Sequence, residues 1–302
     1  MKRIVLTDGG MGQELLRRSG AAPTPLWSAR VLIDEPDLVR DLHADFIDAG
    51  ARVITINTYA ATPERLEREG VGELFEELQQ RGIDLAKQAR DMTGADVRIA
   101  GCLPPLFGSY KPELTLSFDE TLEIYRRVVA AQKDQVDLIL CETMASAEEA
   151  LAAATAASEA SLPVWVSWTL QDSLDGAQLR SGETIEEAAK AIAHIKFEAR
   201  MINCSKPEVI SAGMDDLIAL GGPVGAYANG FTSIGALKHG GTVDVLEARR
   251  DLGPESYADF AESWAAKGAS IVGGCCEVGP KHIAALRDRL LKNGFELTGT
   301  PQ

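Results

Sequence analysis

Near the end of the chain two glycines precede two adjacent cysteines, Gly273-Gly274-Cys275-Cys276, and ordinary packing gives no reason for such a run. In a regular strand neighbouring side chains point to opposite faces, so Cys275 and Cys276 could not share a target. The glycines are expected to bend the chain by adopting backbone angles closed to other residues, which would turn both sulfurs towards one point. Two thiolates at such a bend suit zinc, whose sulfur ligands sit about 2.3 Å from the metal, and a third ligand must then come from elsewhere. The chain has five cysteines, so Cys102, Cys141 and Cys204 are the candidates. An odd thiol count with no signal-peptide core at the N-terminus fits a reducing cytoplasm, where cysteines are more often metal ligands or nucleophiles than disulfides.

The elements that would bring a third ligand to the pair can be read along the chain. Short apolar, β-branched segments occur at Arg3 to Thr7, Arg52 to Asn57, Val97 to Gly101, Asp137 to Cys141, Pro163 to Thr169, Arg200 to Cys204, Pro223 to Tyr227 and Ala269 to Val272. Helical spacing fills the intervals, and the runs beginning at Ser117, Ser146 and Thr184 fit the capping box. Eight such strands alternating with helices over about 250 to 300 residues predict an α/β fold of the (β/α)8 TIM-barrel type. A doubly wound sheet is the rival, but Asp8-Gly9-Gly10-Met11-Gly12 after the first strand does not satisfy the dinucleotide-binding fingerprint. No linker or compositional break divides residues 1–302, which reads as a single barrel domain.

Composition narrows the partners. The 302 residues are 45% hydrophobic and 25% charged, and 30 basic against 45 acidic residues give a net charge of -15. That balance argues against nucleic acid and anionic membrane surfaces, and no apolar run reaches membrane-spanning length. Small molecules are the expected partners, with assembly into a homo-oligomer left open.

Barrel enzymes carry their chemistry at the carboxyl ends of the strands. Asp8, Asn57-Thr58-Tyr59, Cys102, Cys141-Glu142-Thr143, Asn203-Cys204, Asn229 and the Gly-Gly-Cys-Cys run all fall there. Cys204 ends the sixth strand and the pair ends the eighth, close enough around a closed barrel to share a metal. Three thiolates and one open position describe a catalytic zinc site, since structural sites are filled by four protein ligands. Such a metal suits a thiol substrate, which it would deprotonate near neutral pH. Hydrolysis by metal-bound water is the alternative, but His43, His194, His239 and His282 lie outside the strand ends, and such sites generally use histidine and carboxylate ligands.

Asp8-Gly9-Gly10, Leu26-Trp27-Ser28-Ala29, Asn57-Thr58-Tyr59, Glu142-Thr143, Asn203-Cys204 with Pro207-Glu208, and Gly273-Gly274-Cys275-Cys276 with Pro280 and His282-Ile283 resemble the homocysteine S-methyltransferase family over nearly the whole chain. The resemblance implies a (β/α)8 barrel with Zn2+ on Cys204, Cys275 and Cys276 and homocysteine thiolate as fourth ligand. It further implies Asp8 and Glu142 around the amino-acid ammonium, by charge-assisted hydrogen bonds, and Asn203 in the substrate-binding set. Two positions depart from the family pattern: Glu277 stands where glycine commonly follows the cysteine pair, and Ala228-Asn229-Gly230-Phe231-Thr232 replaces a Pro-Asn-Ser-Gly-Glu-like run.

The implied reaction is methyl transfer from a small sulfonium or quaternary ammonium donor to homocysteine, giving methionine, with no resident general base required. Trp27 and Tyr59 are candidates to line the cationic donor's site or to shape the homocysteine pocket. The Gly-rich, polar stretches Gln171 to Gly182 and Gly230 to Leu252 could serve as lids. Cys102 and Cys141 read as packed core thiols, and His282 as a residue of the last helix's first turn. A homocysteine-binding barrel working with a corrinoid methyl carrier and a non-catalytic zinc or thiol sensor are the alternatives.

Overall fold

The computed structural model describes residues 2–174 and 176–302. All eight expected strands form: β1 (Lys2–Leu6), β2 (Val53–Thr55), β3 (Arg98–Leu103), β4 (Leu138–Met144), β5 (Val164–Trp168), β6 (Ala199–Asn203), β7 (Val224–Tyr227) and β8 (Ile271–Val272). Every neighbouring pair is parallel, from β2 through β8 and then to β1. Thr7 bridges Val53, and Arg52 N–H and Asp8 N–H donate to Leu6 and Val53 carbonyls, so β1 meets β2 and the barrel closes.

At least one helix follows each strand, the longest being Phe75–Thr93 after β2. Capping boxes form at Ser117 and Thr184, whereas at Ser146 only the side-chain half forms and the Glu149 carboxylate accepts from Ala145 N–H instead. Ser146 and Thr184 side chains accept from the N–H groups of Glu149 and Glu187, and Glu120 accepts from Ser117 N–H. A ninth strand, β9 (Phe295–Leu297), was not expected from the sequence. It pairs Phe295, Glu296 and Leu297 with Lys2, Arg3 and Ile4, tying the last helix to the start of β1.

Alternation along the strands sets what faces the barrel axis. Val5, Val53, Ala100, Leu138, Leu140, Trp165, Met201, Tyr227 and Ile271 pack together inside. Residues of the opposite parity, such as Ile54, Ile139, Cys141, Val166 and Ile202, pack outward under the helices. On β4 this places Glu142 above Leu138 and Leu140, facing the barrel mouth, while Cys141 turns away into the helix layer. Among the described residues no helix is long and apolar enough to cross a membrane.

Candidate active site

The Sγ atoms of Cys204, Cys275 and Cys276 lie within 4.8 Å of one another, and those of Cys204 and Cys276 are 3.8 Å apart. Two ligands of a tetrahedral metal at about 2.3 Å stand about 3.8 Å apart, so the spacing fits a metal on thiolates. Backbone bonds hold the trio in place. Cys204 N–H donates to Tyr227 O (3.0 Å), Cys275 N–H to Ala228 O (2.9 Å), and Cys276 O accepts from Gly230 N–H (2.8 Å). Thiol hydrogen bonds from Cys275 and Cys276 hold Cys204 well below the usual thiol range, while the pair itself is pushed up.

The glycines before the pair act differently from expectation. Neither Gly273 nor Gly274 has a positive φ. Their requirement is space: a Cβ on Gly273 would come within 1.8 Å of Thr7 Oγ1, and one on Gly274 within 2.2 Å of Val278 Cγ1. The left-handed backbone lies instead on side-chain-bearing residues. Six described non-glycine residues have positive φ; Trp27, Tyr110, Thr143 and Cys204 line one cavity at the barrel mouth, Glu277 follows Cys276, and only Ser161 is remote. Strain of this kind concentrates where a site over-determines its backbone.

Asp8 and Glu142 face the same cavity as the three thiols. Asp8 Oδ2 accepts from Thr55 N–H (2.8 Å) at the β1–β2 seam, and Glu142 Oε1 accepts from the Cys102 thiol (3.0 Å). Burial raises Asp8 well above the usual carboxylate range and pushes Glu142 up to about 7. Two buried carboxyl groups with no cationic partner among the described residues are suited to receive a cation.

Trp27 and Tyr59 form one wall, their rings 5.9 Å apart and edge to face. Trp27 Nε1 donates to Gln13 Oε1 (3.0 Å), and its ring occupies the space a Cβ on Gly12 would need. Tyr59 Oη lies 2.8 Å from Ser109 Oγ. Asn203 stands behind the cavity instead of on its wall. It is fully buried, with Oδ1 accepting from Thr143 N–H (2.9 Å) and Ser167 Oγ (2.8 Å) and Nδ2 donating to Thr143 Oγ1 (2.8 Å).

The loop after β3 adds residues that the sequence did not single out. Tyr110 Oη is 3.0 Å from Cys204 Sγ, and Phe107, Ser109 and Lys111 line the cavity. Their position just past a strand's carboxyl end was the available signal. Leu237, His239 and Leu246 from the stretch after β7 also line the cavity; His239 reaches it from that loop and, as expected, not from a strand end. The two expected lid stretches touch: Asp172 accepts from Ser233 Oγ (2.9 Å) and Ile234 N–H (3.2 Å). Asp175, inside the first stretch, lies outside the described residues.

A closed (β/α)8 barrel with three converging thiols that could hold a metal and two buried carboxyl groups at the carboxyl ends of its strands is an enzyme scaffold suited to a small substrate. The family model described as homocysteine S-methyltransferase matches residues 5–290. Curated relatives include a selenocysteine methyltransferase of Astragalus bisulcatus, 31% identical over 97% of this chain and 94% of its own. A homocysteine S-methyltransferase of Escherichia coli is 30% identical, covering 95% of each chain. The crystal structure of the homocysteine methyltransferase MmuM from Escherichia coli in its metallated form superposes with a TM-score of 0.80 at 29% identity, over 95% of this chain and 96% of that one. The chain belongs to the homocysteine S-methyltransferase family and is an enzyme of the methyltransferase class.

Proposed function

We propose that this enzyme transfers a methyl group from a small sulfonium or quaternary ammonium donor to the thiol of L-homocysteine in the cytoplasm, with zinc on Cys204, Cys275 and Cys276. The observation that carries this reading is the convergence of three Sγ atoms on the cavity that Asp8 and Glu142 also face. A zinc ion bound there supplies one thing, a lowered pKa for a substrate thiol.

The chain's own groups supply the rest. Asp8 and Glu142 take the ammonium of homocysteine, and the arriving cation favours ionisation of both carboxyls. Asn203 positions Thr143, and through it the end of β4 on which Glu142 sits. The faces of Trp27 and Tyr59 attract the donor's cationic centre, and the loops after β3 and β7 limit water. The thiolate sulfur attacks the methyl carbon as the methyl–sulfonium or methyl–ammonium bond breaks, and its electron pair leaves on a neutral sulfide or amine. The thiol proton goes to solvent before transfer. Family membership favours this reading over a zinc sensor or a corrinoid-dependent barrel.

The test is a methyl-transfer assay on zinc-loaded protein with homocysteine and, in parallel, S-methylmethionine, S-adenosylmethionine, glycine betaine and dimethylsulfoniopropionate, with methionine read by mass spectrometry. Methionine from at least one donor, abolished by chelation and restored by zinc, is expected. Protein that binds zinc and homocysteine yet yields no methionine from any of them overturns it.

A further inference from the structure

Arg65 is a cation on the cavity wall that forms no ion pair with a carboxylate among the described residues. Its Nη2 donates to Pro105 O (3.0 Å) and Ser109 Oγ (3.1 Å), its Nε to Leu106 O (3.4 Å), and its guanidinium lies 5.4 Å from the centre of the Tyr59 ring. These contacts fix the plane of the fork and leave Nη1 with no hydrogen-bond partner among the described residues. The other lysines and arginines that line the cavity differ: Arg68 pairs with Glu69 (3.1 Å), Lys111 pairs with Glu113 (3.8 Å), and Lys238, an exposed loop side chain, has among the described residues no ion pair and no contacts that fix its ammonium. Glu64 and Glu149 are near enough to be influenced by Arg65, but neither forms an ion pair with it among the described residues. Burial opposes the guanidinium's charge, yet arginine stays protonated, so a stripped cation faces the substrate space.

We propose that Arg65 Nη1 is the carboxylate-binding subsite of this cavity, an inference that rests on the function proposed above. The cavity then has opposite polarity at its two sides, with Asp8 and Glu142 for a cation and Arg65 for an anion, which matches a zwitterion of amino-acid type. Two nitrogens of a rigid fork are already oriented by loop carbonyls, so little rotamer freedom remains to be lost when a carboxylate docks. The carboxylate could come from the acceptor or from the donor, and the two sources separate experimentally.

The test compares Arg65→Gln with the parent enzyme in two arms. In the acceptor arm homocysteine is set against 3-aminopropane-1-thiol, its counterpart without the carboxylate. In the donor arm dimethylsulfoniopropionate or S-methylmethionine is set against trimethylsulfonium. A charge-assisted pair lost from a shielded site should raise KM for the carboxylate-bearing member of one arm roughly ten- to a hundredfold, with its carboxylate-free counterpart changed less than about twofold. The affected arm names the source. Equal losses for both members of each arm, or no change in either, overturn the proposal. Arg65→Lys keeps charge without the fork and is used if Arg65→Gln fails to fold. Should the parent enzyme make no methionine, calorimetric titration of zinc-loaded protein with homocysteine and with 3-aminopropane-1-thiol reads the acceptor side directly, and dimethylsulfoniopropionate against trimethylsulfonium reads the donor side. Failure of turnover and failure of the subsite are thereby distinguished.

Discussion

The carboxylate of Glu277 accepts a hydrogen bond from the side-chain amide of Gln13, 3.0 Å away, and the same amide's oxygen receives the indole N–H of Trp27. Arg17 Nη2 holds the other carboxylate oxygen at 3.2 Å. Glu277 therefore joins the loop carrying Cys275 and Cys276 to the aromatic wall of the cavity. It does so from a φ of +67°, a conformation that costs a residue with a Cβ about 1 to 2 kcal/mol. Glycine at this position would be unstrained. Replacing Glu277 by Ala should keep the strain and lose both hydrogen bonds, while Gly loses the bonds and removes the strain. Glu277→Gly should therefore be more stable than Glu277→Ala by about 1 kcal/mol in urea unfolding. Equal midpoints for the two variants would show that the backbone at 277 is not strained.

Cysteine-to-serine changes at the trio should separate metal from fold. Removing one of three thiolates leaves too few ligands for a stable site, so Cys204→Ser, Cys275→Ser and Cys276→Ser should each lose bound zinc by mass spectrometry and all detectable transfer. Cys141→Ser, altered in the helix layer behind β4, should keep its zinc. Retention of a full equivalent of zinc by Cys204→Ser would remove that residue from the ligand set.

Most of the barrel was readable because strand alternation and the rule that chemistry sits at strand ends are both local. Cys204, Cys275, Cys276, Asp8 and Glu142 share one cavity for that reason. Asn203 has the parity of a substrate contact, yet Ser167 on the adjoining β5 and Thr143 on β4, one strand further round the barrel, occupy its amide. A sequence does not display lateral neighbours of this kind. Gly273 and Gly274 have a similar lesson. Glycine in a strand signals either a special φ or a close approach, and only the positions of Thr7 and Val278 decide for the second. Tyr110 and Arg65 were missed because they reach the cavity from loops and a short helix whose paths follow no period.

Asn203 should be costly to remove. Asn203→Leu leaves Thr143 N–H and the Ser167 hydroxyl without acceptors in the barrel interior, at about 1 to 3 kcal/mol for each buried group left unpaired. The expected result is a fall in thermal midpoint and a weaker hold on homocysteine, since Thr143 adjoins Glu142. Unchanged homocysteine affinity in a destabilised variant would confine Asn203 to the fold.

The pH dependence of homocysteine binding should follow Glu142. A carboxyl with its pKa raised to about 7 is protonated below that pH and cannot pair with an ammonium, so affinity should fall as pH drops through about 7. Glu142→Gln should bind weakly and flatten that limb while keeping zinc. In the ligand-free protein the sign reverses. The folded state holds the proton that the unfolded chain releases near 4.5, so this group's contribution to stability declines as pH rises from about 4.5 to about 7. Calorimetric titrations with homocysteine across this range, paired with urea midpoints, check both signs.

Cys102 bears on the same midpoint. Burial and the neighbouring Glu142 charge push its thiol pKa well up, so the proton stays on sulfur and is donated to Glu142 Oε1 at 3.0 Å. A donor to the ionised carboxylate favours that form and opposes the upward push of burial. Cys102→Ala removes the donor, so the Glu142 midpoint should rise and the homocysteine-binding profile should move to higher pH. Cys102→Ser retains a donor of nearly the same reach and should bring the profile back towards that of the parent enzyme. A purely structural thiol would move stability in both variants and leave the midpoint in place, so a profile unmoved in Cys102→Ala would return Cys102 to the core.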